Sequence, residues 1–208
     1  MNIIDQLKEI PTTCVSDALN GQNSLDSTIK PLDEQLKVVG RAVTVKISPG
    51  DNLLVLKAMR EANPGDVLVI DAKSYMDSAS CGDFNLKLAQ KLGLAGVVID
   101  GVVRDVLAMK EMNYPVFARG VCTAASKKYG AGEINVPISC GATVIQPGDI
   151  IHGDADGVVV IPRGLEEDVL KKAQEKLKQD MEREERILTS RESAQQYIDR
   201  LLAANRKA

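Results

Sequence analysis

"GDFNLKLAQKLGLAGVVIDGVVRDVLAMKE" (residues 82–111) combines a polar-faced periodic segment, a glycine stop and an uninterrupted apolar run. Its spacing predicts a helix from Asp83 to Leu92 stopped at Gly93, a strand over "AGVVID", and a further helix from near Arg104 to Asn113. The strand does not alternate, as expected when both of its faces are buried. The same unit recurs on either side. Upstream, "NLLVLKAMREANPG" (52–65) reads as a helix closed by Pro64-Gly65 and "DVLVIDA" (66–72) as a strand; downstream, "YPVFARG" (114–120) supplies another strand. Apolar strands alternating with amphipathic helices predict a parallel sheet, covered on both faces and connected by right-handed crossovers.

Outside this block the texture changes. "KVVGRAVTVKI" (37–47) alternates with Val43 and Val45 in phase, which predicts a strand with one buried face, and "SPGDN" breaks it. "IPTTCVSDALN" (10–20) carries helix-start chemistry, with Thr12, Thr13 and Ser16 available as caps and Gly21 as the stop. Beyond residue 130, short runs punctuated by Gly, Pro and Asp over 132–164 predict antiparallel or barrel-like β structure beside the βαβ half. From Leu165 to about Leu188 the chain is strongly charged, with Leu165, Val169, Ala173, Leu177 and Met181 every four residues. Such a stripe packs either on its own domain or on a neighbouring subunit.

Composition narrows the function. The 208 residues with 44% hydrophobic content suffice for one sizeable core. A net charge of -3, without clustered Lys and Arg, gives no electrostatic footprint for nucleic acid. Neither a signal-like start nor a run of eighteen apolar residues is visible, so the chain reads as cytoplasmic with no membrane partner. Cys14, Cys81, Cys122 and Cys140 lack CxxC spacing and read as reduced, small core residues. His152 is the single histidine; it excludes a multi-histidine zinc site and reads as an ordinary loop residue. No phosphate-binding glycine loop is present.

Candidate chemistry gathers at the ends of the two adjacent apolar strands, where an open parallel sheet collects ligands. The first strand feeds "CGDFN" and the second feeds "GVVRD", so Asp83 and the Arg104-Asp105 pair are expected to share one crevice. The backbone N–H groups of Gly82, Asp83, Phe84 and Asn85 open a helix and favour an anion such as a substrate carboxylate. Arg104 offers a planar fork for a carboxylate or enolate oxygen. Asp105 is a hard oxygen ligand of the kind magnesium or manganese accepts alongside waters. Simpler roles compete: Asp83 as a helix cap, and Arg104-Asp105 as a solvated surface pair.

Several segments together bear on these alternatives by likeness. "TTCVSDALNG", "GRAVTV", "PGDVLVID", "PGDIIHGDADGVVVIPR" and, above all, Asp83 followed after twenty residues by Arg104-Asp105 resemble the class II 4-hydroxy-4-methyl-2-oxoglutarate aldolases and the related regulators of RNase E activity. The resemblance implies an RraA-like, swivelling β/β/α fold over residues 1–164, with 165–208 as a helical extension packed on a neighbouring subunit. It also implies a metal-dependent lyase that cleaves 4-hydroxy-2-oxo diacids to pyruvate and decarboxylates oxaloacetate, in a homotrimer or hexamer. Gly82, Asp83, Phe84, Asn85 and Arg104 inherit substrate binding, Arg104 and Asp83 the catalytic roles, and Asp105 the divalent cation, Mg2+ or Mn2+. An acid near Asp180, Glu182 or Glu184 of an adjacent subunit is expected to complete the metal shell. Aliphatic residues often stand in the family where this chain has Phe84-Asn85, which bears on the substrate. The alternatives are a ribonuclease regulator acting by protein binding, a non-catalytic small-molecule binder, and a Schiff-base aldolase using Lys73.

Overall fold

A computed structural model describes residues 2–205. In chain order the elements are α1 (Ile3–Lys8), α2 (Thr12–Ala18), β1 (Lys30–Pro31), β2 (Val38–Ile47), α3 (Leu53–Glu61), β3 (Val67–Tyr75), α4 (Asp83–Lys91), β4 (Gly96–Val103) and α5 (Val106–Glu111). There follow β5 (Val116–Val121), β6 (Gly132–Ile134), β7 (Ile138–Cys140), β8 (Thr143–Ile145), β9 (Ile150–Asp154), β10 (Gly157–Ile161), α6 (Glu166–Ile187) and α7 (Arg191–Asn205). One sheet runs in the order β1-β5-β4-β3-β2-β9-β10, with β6 also on β2, and β7 and β8 form a separate hairpin. Pairing is parallel from β2 through β5 and antiparallel elsewhere.

Consecutive parallel strands step across the sheet in one direction. With right-handed crossovers, α3, α4 and α5 must then lie on one face. They do: Val55, Met59, Leu86, Ala89 and Met109 share a buried cluster with Leu68, Ile70, Val97 and Ile99. The opposite face, carrying Val67, Val69, Val98 and Phe117, is covered by Ile138, Cys140 and Ile145 of the β7–β8 hairpin. Both faces are covered as expected, one by helices and one by strands, giving the β/β/α layering of a mixed α/β fold. β2 departs from its expected single buried face. Covered on one face by α3 and on the other by the β7–β8 hairpin, it is buried along almost its whole length, with only Arg41 exposed and Lys46 half-buried.

The terminal helices form a third cluster. Val169, Leu170 and Ala173 on the first turns of α6 pack with Leu7, Val15, Ile150 and Ile161. Each fully buried aliphatic side chain stabilises the docking by about 1.5–3 kcal/mol. The leading part of α6 therefore lies on its own domain, whereas Met181, Leu188, Ile198 and Leu202 on the remainder of α6, its turn and α7 are exposed. Among the described residues no helix is long and apolar enough to cross a membrane.

Local corrections have simple causes. α2 is not capped by Thr12, Thr13 or Ser16; its N-cap is Pro11, and the Thr12 N–H donates instead to Asp154 Oδ2 at 2.9 Å, across the fold. β4 continues through Val103 before α5 begins, because Cys81 pairs with Val103 beyond the main ladder. Cys14, Cys81 and Cys140 are buried thiols, but Cys122 is half-exposed.

His152 is a strand residue rather than a loop residue, 1% exposed within β9. One ring nitrogen lies 3.0 Å from Leu7 O and the other 3.0 Å from Thr12 Oγ1. A neutral imidazole, donating to the carbonyl and accepting from the hydroxyl, satisfies both. Burial pushes its pKa below 6.5. The unfolded imidazole takes up a proton near 6.5 while the folded one resists, so the unfolded state binds more protons below that pH. Denaturant titrations should show stability falling from pH 6.5 to 5, and a flatter dependence in H152Q.

Candidate active site

The crevice sits at the carboxyl ends of β3 and β4. The Arg104 N–H donates to Cys81 O at 3.2 Å, joining the loop that enters α4 to the loop that enters α5. Asp105, the N-cap of α5, adopts a left-handed conformation with φ 65 and ψ 37. Aspartate tolerates this region better than most residues, and the turn reverses its carboxylate toward α4. Asp105 Oδ2 lies 3.4 Å from both Asp83 N and Arg104 Nε. The structure thus brings Gly82, Asp83, Arg104 and Asp105 together, with the Arg104 and Asp105 side chains 40% and 41% exposed.

Gly82 makes this approach possible. A Cβ there would stand 2.6 Å from Asp105 Oδ2 and 3.3 Å from Arg104 Nε, which no unmoved structure accommodates. The N-cap of α4 is Gly82 and supplies no side-chain cap. The helix start turns a positive dipole end toward the crevice, where the Asp83 N–H meets Asp105 Oδ2.

Asp83 occupies the first turn of α4 and pairs with Lys87 one turn on, at 2.6 Å. That ammonium, chiefly, holds its carboxyl below the usual carboxylate range, so Asp83 is an anion at neutral pH. Phe84 is 68% exposed beside it. Asn85 has a buried Nδ2 without a hydrogen-bond partner.

Other expected residues lie apart. On α6, Asp180 receives Lys176 at 2.5 Å and Arg183 at 2.9 Å, and Lys176 also reaches Asp17 of α2. Among the described residues no hydrogen bond or ion pair links Asp180, Glu182 or Glu184 to Asp105. The Lys73 ammonium is tied to the buried Asp71 carboxylate at 2.6 Å, which leaves it poorly placed for Schiff-base chemistry.

Among the described residues no group of three or more His, Cys, Asp or Glu could hold a metal ion; Asp105 is the ligand expected from the sequence. Its half-exposed carboxylate, held open by the missing Cβ of Gly82, fits a hard cation that keeps most of its waters. A cavity of about 240 Å³ lined by Thr12, Ser16 and Asp156 lies elsewhere; its position gives it no part in the chemistry above.

Two supporting networks escape the sequence reading. Asp51, 1% exposed, accepts N–H bonds from Leu53, Tyr129, Gly130 and Ala131 at 2.6–3.2 Å, and so pins the loop after β5 to the start of α3. The near end of that loop closes on the crevice, through Cys122 N–H to Val103 O and Ala79 N–H to Ala124 O. Asp100, buried in β4, accepts from Arg119 Nε, Ser74 Oγ and Gly141 N, while Arg119 also reaches Asp26 and Thr28. For the second network the visible signal was the aspartate closing the apolar run "GVVID"; Asp51, within "SPGDN", carried none.

Comparison with known proteins gives the family. Residues 12–160 match the RraA-like family, described as Aldolase/RraA. A protein of Halalkalibacterium halodurans named "Putative 4-hydroxy-4-methyl-2-oxoglutarate aldolase" is 54% identical over 202 residues, 97% of this chain and 96% of that protein. A protein of the same name from Burkholderia multivorans is 37% identical over 68% of this chain and 85% of its own length. Among solved structures, the RNA-processing inhibitor RraA from Thermus thermophilis superposes with a TM-score of 0.68 at 30% identity, covering 74% of this chain and 96% of that one. RraAS2 of Streptomyces coelicolor, described as an unusual member of the RNase ES inhibitor RraA protein family, superposes at 0.80 with 25% identity, covering 89% and 98%. With the matched segment spanning most of the sequence and these relatives aligned along it, the chain belongs to the RraA-like family.

Proposed function

We propose that the protein is a divalent-metal-dependent lyase that cleaves 4-hydroxy-2-oxo diacids, such as 4-hydroxy-4-methyl-2-oxoglutarate, to pyruvate, and that it also decarboxylates oxaloacetate. The single observation that carries the reading is the convergence of Arg104 and Asp105 on the open start of α4 across Gly82. The names of the aldolase relatives support it.

A 2-oxo acid lies with its carboxylate toward the N–H groups that begin α4, where the helix dipole favours an anion. The Arg104 guanidinium stands beside the 2-oxo oxygen. When the C3–C4 bond breaks, its electron pair passes into the three-carbon fragment, which becomes the enolate of pyruvate, and C4 becomes a carbonyl. Arg104 is already charged and in place, so it stabilises the developing oxyanion without reorganisation. The C4 hydroxyl proton leaves to an ordered water beside Asp83, whose ionised carboxylate orients that water. Protonation of C3 completes the turnover. Decarboxylation of oxaloacetate yields the same enolate with loss of carbon dioxide, so one site serves both. Asp105 would hold a divalent cation, Mg2+ or Mn2+, which supplies Lewis-acid withdrawal of charge from the 2-oxo group. The active assembly is a homotrimer or hexamer in which an acid of a neighbouring α6 completes the metal shell, and it works in the cytoplasm.

A second reading, a regulator that binds a ribonuclease, is favoured by the similarity to the two RraA structures. Turnover separates the two.

Pyruvate release, followed with lactate dehydrogenase, should appear with both substrates and be abolished by EDTA. D105A should lose at least about 100-fold in kcat/KM; near-normal turnover in that variant would refute the assignment. G82A, whose Cβ displaces the Asp105 carboxylate while its extended backbone suits alanine, should lose about 100-fold with little change in melting temperature.

A further inference from the structure

The helix layer over the parallel strands turns an apolar face to solvent. On α4, Phe84 and Leu88 each lie about 160° around the helix from the core-facing Leu86. Both are exposed, as are Leu92 at the end of α4 and Leu107 on the neighbouring α5. α5 is joined to α4 by the Gln90 amide, which donates to Met112 O. Single exposed apolar side chains are ordinary, but a row of them marks a surface that another molecule covers. This row lies beside the crevice: Phe84 follows Asp83, and Leu107 comes two residues after Asp105.

A second bare face lies near the other end of the chain. Val169, Leu170, Ala173 and Leu177 seat α6 on its own domain. The same stripe runs on past the domain's edge as Met181 and Leu188, which are exposed. α7 meets the end of α6 around Ile187 and Tyr197. None of its described residues is buried, and Ile198 and Leu202 stand bare. A helix of 15 residues is marginal in water without packing against something else.

The two faces do not cover one another within one chain, since both are bare in it. α6 is seated with α1, α2, β9 and β10, whereas α4 and α5 cover β3, β4 and β5 at the other end of the sheet. Their charges are complementary. Glu184 and Glu185 lie between Met181 and Leu188, while Lys91 and Lys110 stand one turn beyond Leu88 and Leu107. Among the described residues none of these four takes part in an ion pair.

We infer that the overhanging end of α6, with α7, docks on the outer face of α4 and α5 of a second copy of this chain, its glutamates against the lysines. This rests on the assembled lyase read above and names the surfaces that join its copies. The docked helices close one flank of the partner's crevice. Because the contact joins two different faces it is head-to-tail, and its repetition closes a ring.

The test reads mass by size-exclusion chromatography with light scattering on the full-length protein, whose single chain weighs 22.4 kDa. Leu107 and Leu188 are 78% and 71% exposed, so replacing them leaves the fold of one chain undisturbed, as an unchanged far-UV spectrum should show. Wild type should elute as an assembly, and L107D and L188D should each drop to a smaller species. An equal mixture of the two variants should regain mass, because the intact helical end of L107D fits the intact α4–α5 face of L188D. E184K/E185K should dissociate as well, and K91E/K110E added to that chain should restore the assembly. Variants that keep the wild-type mass, a mixture that regains none, or reversed charges that fail to restore it overturn the docking and leave the lyase to its pyruvate assay. A wild type with the mass of one chain overturns the docking and the assembly with it; its retention on anionic vesicles would assign the bare helices to a membrane surface instead.

Discussion

Parallel pairing of β3 with β4, carried past its bulge by the Cys81–Val103 bridge, is the constraint on which the site depends. Neither loop end would hold its place alone. The Arg104 N–H bonded to Cys81 O fixes the start of α5 against the start of α4. Left-handed Asp105 then turns its carboxylate inward, and Gly82 leaves the room to do so. A cation, a carboxylate and the start of α4 meet there because the backbone converges first. Their mutual contacts, at 3.4 Å, are too long to impose that arrangement.

Much of the fold was legible because periodicity records burial. The helices over 53–61 and 83–91 and the strands between them follow the apolar pattern closely, and the glycine stop at Gly93 has φ +81, as such a stop requires. What the pattern could not reveal is the identity of the partner layer. β2 alternates weakly, yet its polar Thr44 is fully buried, donating to Val136 O, because a β layer lies over that face. His152 was read as loop for the same reason: a lone histidine among glycines and aspartates looks solvated until the N-terminal helices dock on it. Side chains that bond across a hundred residues leave no local trace.

The candidate site was legible in part. The spacing of Asp83, Arg104 and Asp105 predicted a shared crevice, and the backbone places them in one. The polar supports behind it were not anticipated. Asp51 looked like a loop residue and is a buried anchor for the rim, and Asp100 with Arg119 ties β4 to the hairpin layer beneath. Leaving either carboxylate in place without its donors would strand a buried charge, a larger loss than the pair itself contributes. The rigidity of the crevice is in this sense borrowed from groups that never meet its contents.

β2 belongs to both parts of the sheet, joining β3 along one edge while its other edge is divided between β9 and β6. On the ribosome the parallel half is made first, and the edge of Val38–Arg41 stays bare until Ile150–Asp154 emerges. At about 5–20 residues per second that interval lasts several seconds, with an apolar strand edge open to pairing with other nascent chains. The order of synthesis therefore leaves that apolar edge unpaired for as long as the intervening segment takes to emerge.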